Sequence, residues 1–248
     1  MNFEDRNVII TGGSSGIGLE LARQFARLGA RVHNLSRRQG VDVTDHAAVT
    51  AAIRAIGDDR GIAALVCNAG IMRVGRVDEL SLDDFEIVLR TNYLGALHCV
   101  LAAWPYLEAA RDSRLAFVSS VAGYTGIYGY TAYAPAKFAL TGLAECLRME
   151  GKPYGIRVTI VFPPDTETPM LEYEHAHAPA ETRAISAGAR RMSPAAVAEK
   201  FVAGIVRGDF EVYCNVESRL IRIIKSLLPG TYYRLLDRLA AKGRASRP

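Results

Sequence analysis

With 248 residues, half of them hydrophobic, the chain is long enough to bury the core of one α/β domain, and it contains no low-complexity linker that would divide it. Four widely separated cysteines, Cys67, Cys99, Cys146 and Cys214, include no CxxC pair, which argues against a disulfide framework or a cysteine zinc site and fits a cytoplasmic protein. The net charge of +4 is uneven: residues 217–248 carry eight Lys or Arg against two acidic residues, so the rest of the chain is net negative and no nucleic-acid partner is expected.

The opening MNFEDRNVIITGG has acidic residues before a short apolar run, unlike a secretory signal. Val8 to Thr11 reads as a buried strand, followed by Gly12, Gly13, Ser14, Ser15, Gly16, Ile17 and Gly18, then an amphipathic helix from Leu19 to Leu28. Strand, glycine turn and helix in that order make a phosphate site. The glycines let the backbone approach a pyrophosphate, and the helix N-terminus offers unpaired N–H groups.

Arg31 to Leu35 is the second predicted strand, and its end should approach the adenosine ribose of a dinucleotide. An acidic residue there would select NAD. Ser36, Arg37 and Arg38 stand in its place, a hydroxyl and two guanidinium groups that suit a phosphate, so NADPH is favoured over NADH.

Val41, Asp42 and Val43 are expected as a short third strand, with Thr44 capping a helix from Asp45 to Ile56. The crossover between the second and third strands is then too short for a helix. Ile62 to Cys67 is the fourth strand and leads into the turn Asn68, Ala69, Gly70. Ser81 and Asp84 resemble a capping box opening a long helix through Asn92 and Trp104. Asn92, deep in that helix, must satisfy a buried amide, as a structural hydrogen-bonder or as part of a polar relay.

Thr91 to Leu107 and Leu115 to Ala136 are long and uncharged, but Asn92, His98, Pro105 and several glycines fit a buried core better than a bilayer span. Leu115 to Val118 is a fifth strand that delivers Ser120 to its end. A helix beginning near Ala132 puts Tyr133 and Lys137 on one face, with Pro135 tolerated in the first turn. A tyrosine titrates near 10, so an adjacent ammonium that favours the phenolate would bring it toward proton transfer at neutral pH. Taken alone, such a pair also describes an ordinary surface helix.

Ile156 to Phe162 is a sixth strand, running into the proline-rich loop Pro163 to Pro169. Residues 170–192 have no strand pattern and the length of a lid. His175 and His177 lie there without partners for a metal, and no metal is assigned. Ser193 and Pro194 start another helix, and Phe210 to Tyr213 is a seventh strand.

TGGSSGIG at 11–18, NAG at 68–70, then Asn92, Ser120, Tyr133 and Lys137 in order, resemble the short-chain dehydrogenase/reductase family over residues 6 to about 215. The resemblance implies an α/β, doubly wound, Rossmann-type, mostly parallel seven-stranded sheet with helices on both faces. It implies NAD(P) along the carboxyl edge, against Gly12, Ser14, Ser15, Gly16, Ile17, Gly18, Ser36, Arg37, Arg38, Asp42, Val43, Asn68, Ala69, Gly70, Tyr133, Lys137, Pro163, Thr166 and Thr168. Tyr133 would exchange the proton with the substrate oxygen and Lys137 would hold the nicotinamide ribose and depress the tyrosine's pKa. Ser120 would bond the carbonyl or alcohol, and Asn92 would hold a water linking Lys137 to solvent. A homo-oligomer, dimer or tetramer, is the family expectation.

The stretch from Lys137 to Pro169, with its KPY and PPDT segments, is similar to the 3-ketodihydrosphingosine reductases. That similarity implies NADPH-dependent reduction of a long-chain 3-keto lipid. The alternatives are another apolar carbonyl substrate, such as a steroid or 3-oxoacyl thioester, and a non-catalytic NADP(H)-binding protein. Residues 1–216 are expected as the dinucleotide-binding and catalytic domain, with 217–248 a basic extension of it. Within that extension Leu220 to Leu239 reads as a pair of amphipathic helices. They would lie on a membrane surface, cover an apolar substrate, or pack on the domain or a second subunit.

Overall fold

The computed structural model describes residues 1–245. In chain order the elements are β1 (Asn7–Thr11), α1 (Gly16–Arg27), β2 (Arg31–Leu35), α2 (His46–Arg60), β3 (Ala64–Cys67), α3 (Leu82–Leu89), α4 (Gly95–Ala109) and β4 (Ser113–Val118). They continue with α5 (Tyr133–Gly151), β5 (Ile156–Phe162), α6 (Pro169–His177), α7 (Ala180–Ser186), α8 (Pro194–Arg207), β6 (Glu211–Tyr213), α9 (Val216–Leu227) and α10 (Pro229–Ala245).

The sheet order is β2-β1-β3-β4-β5-β6, and every neighbouring pair is parallel. Parallel strands buried on both faces need continuous apolar runs, and β1, β3 and β4 are buried at every position. Ile9, Leu65, Leu115 and Phe117 point to one face, where α2, α4 and α5 bring Ile53, Val100 and Leu140 against them. Val8, Ile10, Val66 and Val161 point to the other, against Leu21 and Phe25 of α1 and Phe201 of α8. Chain order reverses across the sheet between β1 and β3, and the carboxyl ends of the strands open there into a crevice.

The sheet has six strands where seven are expected, because Val41 to Val43 is not a strand. A 3₁₀ turn over Arg37–Gln39 follows β2, Val43 is buried beneath Gly95 of α4, and the chain passes directly into α2. The link from β2 to β3 therefore does hold an ordinary helix. Asp45, not Thr44, caps it by accepting from the Ala48 N–H at 3.0 Å, while Thr44 bonds through its N–H and hydroxyl to Asp42.

The capping box of Ser81 and Asp84 is present, but the helix it opens is not continuous. A π-helical turn over Arg90–Leu94 separates α3 from α4 and carries Asn92 inward, fully buried. The prolines after β5 do not keep the whole segment irregular either: Pro169 occupies the first turn of α6, with Thr168 as its cap. The lid-length segment is accordingly helical, as α6 and α7. Leu220 to Leu239 does form a helix pair; residues 246–248 of the basic extension lie outside the described residues.

Candidate active site

The first turn of α1 faces the crevice with its N-terminal N–H groups uncapped, since the Ser15 side chain makes no capping hydrogen bond. Two glycines make the approach close. Gly12 has φ +66°, and a Cβ there would lie 2.8 Å from the Ala69 Cα; one on Gly18 would lie 2.4 Å from the Gly12 carbonyl oxygen. The turn Asn68–Gly70 is clamped to β1 from below. The Thr11 hydroxyl accepts from the N–H groups of Asn68 and Ala69 at 2.9 and 3.0 Å, and the Asn68 amide donates to the Thr11 carbonyl at 2.9 Å.

At the end of β2, Ser36 is buried and donates its hydroxyl to the Gln39 side chain, while Arg37 and Arg38 are exposed at the rim. The Thr44 N–H holds the Asp42 carboxyl below the usual carboxylate range, and the Arg37 charge acts in the same direction.

Ser120 and Tyr133 meet above the end of β4. The Ser120 hydroxyl accepts from the Ala122 N–H at 3.1 Å and faces the phenol closely enough to lower its pKa. Burial outweighs that, and Glu174 and Asp165 add to it, so the Tyr133 phenol is held well above its ordinary value. Lys137 is also buried. Its ammonium lies 5.5 Å from the Tyr133 ring centre and donates to the Val118 carbonyl at 2.9 Å; desolvation brings it down to about 8. The depression of the tyrosine expected from Lys137 does not prevail in the protein alone: burial of the phenol sets the direction of its shift.

One cavity of about 910 Å³ is lined by every expected cofactor contact, from Gly12 through Thr168, and by Ser120. Asn92 is the exception. It lies behind the wall, accepting from the Ile71 N–H at 2.8 Å and donating to the Ile71 carbonyl at 2.9 Å, so its amide fixes the backbone next to Gly70.

Several lining residues carry no sequence signal of their own. Tyr130, buried, packs edge-on against Tyr133 with ring centres 5.7 Å apart. Asp165, from the proline-rich loop, and Glu174, from α6, project into the same chamber. Burial raises both carboxyls, that of Glu174 to about 7. Tyr232, Leu235, Leu236 and Leu239 of α10 line the cavity too. The two C-terminal helices are tied to the turn that follows Ser120: Tyr124 donates to the Ser218 carbonyl at 2.7 Å, and Thr125 and Tyr232 share a hydrogen bond of 2.7 Å. A Glu174 spaced to the inner face of a helix was findable only once that helix was placed.

The glycine cradle, the uncapped helix N-terminus and the hydroxyl and guanidinium groups beyond β2 fit a dinucleotide with its pyrophosphate at α1. A family model described as short chain dehydrogenase matches residues 6–179. A 3-dehydrosphinganine reductase of Danio rerio is 36% identical over 236 residues, which cover 85% of this chain and 71% of that protein. A 3-dehydrosphinganine reductase of Arabidopsis thaliana is 36% identical over 245 residues, covering 89% and 74%. Among solved structures, a short chain dehydrogenase/reductase of Burkholderia phymatum in complex with NAD has a TM-score of 0.79 at 21% identity, covering 92% of this chain and 96% of that one.

Proposed function

The chain belongs to the short-chain dehydrogenase family, whose model spans most of it, and from that premise we propose that it reduces 3-ketodihydrosphingosine to dihydrosphingosine with NADPH. The names of its relatives support the ketone, and the cavity supports the length of the substrate. The glycine turn, Ser120 with Tyr133, and apolar side chains of α10 line one space, which suits a polar head at the hydroxyls and an alkyl chain against α10.

A bound nicotinamide would supply the hydride to the carbonyl carbon. Negative charge then develops on the carbonyl oxygen, where the Ser120 hydroxyl donates a hydrogen bond and Tyr133 delivers the proton. A phenol held above its ordinary pKa is fully protonated at neutral pH, the form that reduction requires of it. The phenolate left behind is stabilised by the Ser120 hydroxyl and by the charge of Lys137 while that amine stays protonated, below about pH 8. Asn92, through Ile71, keeps the Asn68–Gly70 turn in place.

Ser36, Arg37 and Arg38 support the preference for NADPH, whose 2′-phosphate they would meet. Leu220, Ile223, Ile224 and Leu227 of α9 are exposed, as is Arg219 on the same helix, which supports a peripheral contact with a lipid surface. No helix of the described residues is long and apolar enough to cross a membrane. Exposed Leu101 on α4 and Phe138 and Met149 on α5 support a homo-oligomer.

The test is oxidation of NADPH on adding 3-ketodihydrosphingosine in detergent, with NADH and Tyr133→Phe as comparisons. Turnover with NADPH that falls at least about a hundredfold in the variant is expected, by analogy with loss of a proton donor. Tight NADPH binding without turnover of this ketone would discard the substrate and leave the cofactor reading in place.

A further inference from the structure

Glu174 is an unfavourable residue for a ketone reductase to keep where it stands. It is 5% exposed on α6, and it lines the cavity together with Met72, Ala122, Tyr130, Tyr133 and Asp165. The Tyr130 hydroxyl faces it, Arg191 acts on it only through space, and Asp165 opposes its ionisation. Burying a carboxyl without an ion pair raises its pKa, as happens here.

Its effect on the chemistry runs the wrong way for a plain ketone. Reduction leaves a phenolate at Tyr133 and passes through negative charge on the substrate oxygen. Both carboxyls, Glu174 and Asp165, push the Tyr133 proton toward staying on. An uncharged substrate would gain nothing from them. A substrate carrying a positive charge next to its carbonyl would reverse the sign. Its cation would be drawn into the chamber, would return Glu174 to its ionised form, and would lie between the carboxylates and the developing oxyanion.

We propose that Glu174, with Asp165 behind it, forms an ammonium subsite that selects 2-amino ketones over plain ketones of the same length. The inference rests on the reading of the substrate as 3-ketodihydrosphingosine, in which the ammonium sits on the carbon adjoining the carbonyl. With the carbonyl oxygen at Ser120 and Tyr133, that ammonium is carried by the immediate neighbour of the reacting carbon and reaches the wall that Tyr130 and Glu174 build. Tyr130 is then a positioning residue, holding the carboxylate through its hydroxyl and packing edge-on against the Tyr133 ring. Lys137 does not compete for Glu174, since its ammonium is bonded to the Val118 carbonyl.

The experiment compares 3-ketodihydrosphingosine with its 2-deamino analogue of equal chain length, under NADPH in detergent micelles, for the wild type, Glu174→Gln and Glu174→Asp. In parallel, binding of dihydrosphingosine and of its 2-deamino counterpart to the NADPH-loaded protein is followed by cofactor fluorescence. The wild type is expected to favour the amino ketone in kcat/KM by on the order of 100-fold, a ratio that collapses toward unity in Glu174→Gln and is partly kept in Glu174→Asp. A Glu174→Gln variant that loses activity on both ketones by the same factor, or a wild type that binds and turns over both equally, would overturn the subsite. Amine-selective, Glu174-dependent binding without turnover of either ketone would support the subsite and defeat the proposed reaction instead.

Discussion

Replacing Asn92 with leucine, a side chain of similar volume, removes both hydrogen bonds to Ile71 and leaves the rest of the π-helical turn intact. Asn92 is fully buried, and the Ile71 N–H and carbonyl that it satisfies at 2.8 and 2.9 Å would be left facing an apolar group. Each orphaned buried backbone group costs about 1–3 kcal/mol, so the variant should lose about 2–5 kcal/mol of unfolding free energy. Urea denaturation followed by tryptophan fluorescence, reporting Trp104, measures it, with the denaturant slope expected to stay the same. Leu94→Ala, a partly exposed change on the same turn, is the control and should cost under about 1 kcal/mol. NADPH affinity should fall in Asn92→Leu, because Ile71 continues the Asn68–Gly70 turn. A cost below about 1 kcal/mol with unchanged cofactor binding would refute the view that this amide braces the wall of the site.

Other outcomes follow from other residues of the site. Glu174 is raised from 4.5 to about 7 chiefly by burial, so the folded state holds a proton that the unfolded chain releases, and its contribution to stability declines as pH rises from 4.5 to about 7. Glu174→Gln should remove that decline, gaining on the wild type by about 3 kcal/mol between about pH 4.5 and 8 in thermal melts, whereas parallel pH curves for the two would contradict it. Gly18→Ala puts a methyl 2.4 Å from the Gly12 carbonyl and should cost about 1–3 kcal/mol while abolishing measurable dinucleotide binding in a fluorescence titration. Arg37→Ala combined with Arg38→Ala should weaken NADPH at least about tenfold and NADH by less than about twofold, as a charge-assisted hydrogen bond to phosphate contributes about 1.5–3 kcal/mol. Equal weakening of both cofactors would place the guanidinium groups elsewhere than on a 2′-phosphate.

What could be read in the sequence was the part encoded locally. The glycine turn after an apolar strand, the Ser81 box, the Ser193–Pro194 start and the shared face of Tyr133 and Lys137 each depend on residues within one turn or one strand of each other. All of these are present in the fold. Val41 to Val43 failed as a strand for a tertiary reason. Alternation suits an edge strand, but the Val41 N–H turns back to the Ser36 carbonyl at 3.0 Å, closing the turn after β2, and Val43 packs against Gly95 of α4. The π turn at Asn92 was hidden because helical periodicity continues across it. The environment of Tyr133 was hidden as well, since Tyr130 and Glu174, which set it, lie on either side of a helix start and a proline-rich loop.

Among the described residues no strand lies outside β2, which leaves β2 as one of the two terminal rungs of the ladder. An uncovered rung is a template on which a second molecule can extend the sheet. Here it is only five residues long, it opens on Arg31, and it ends beside Arg37 and Arg38. Arg31 is ion-paired with Asp5 at 2.6 Å, so two such edges brought side by side would meet like charge at the end that carries Arg37 and Arg38, which opposes fibre-like growth. A variant without them would be expected to lose solubility before it loses its fold.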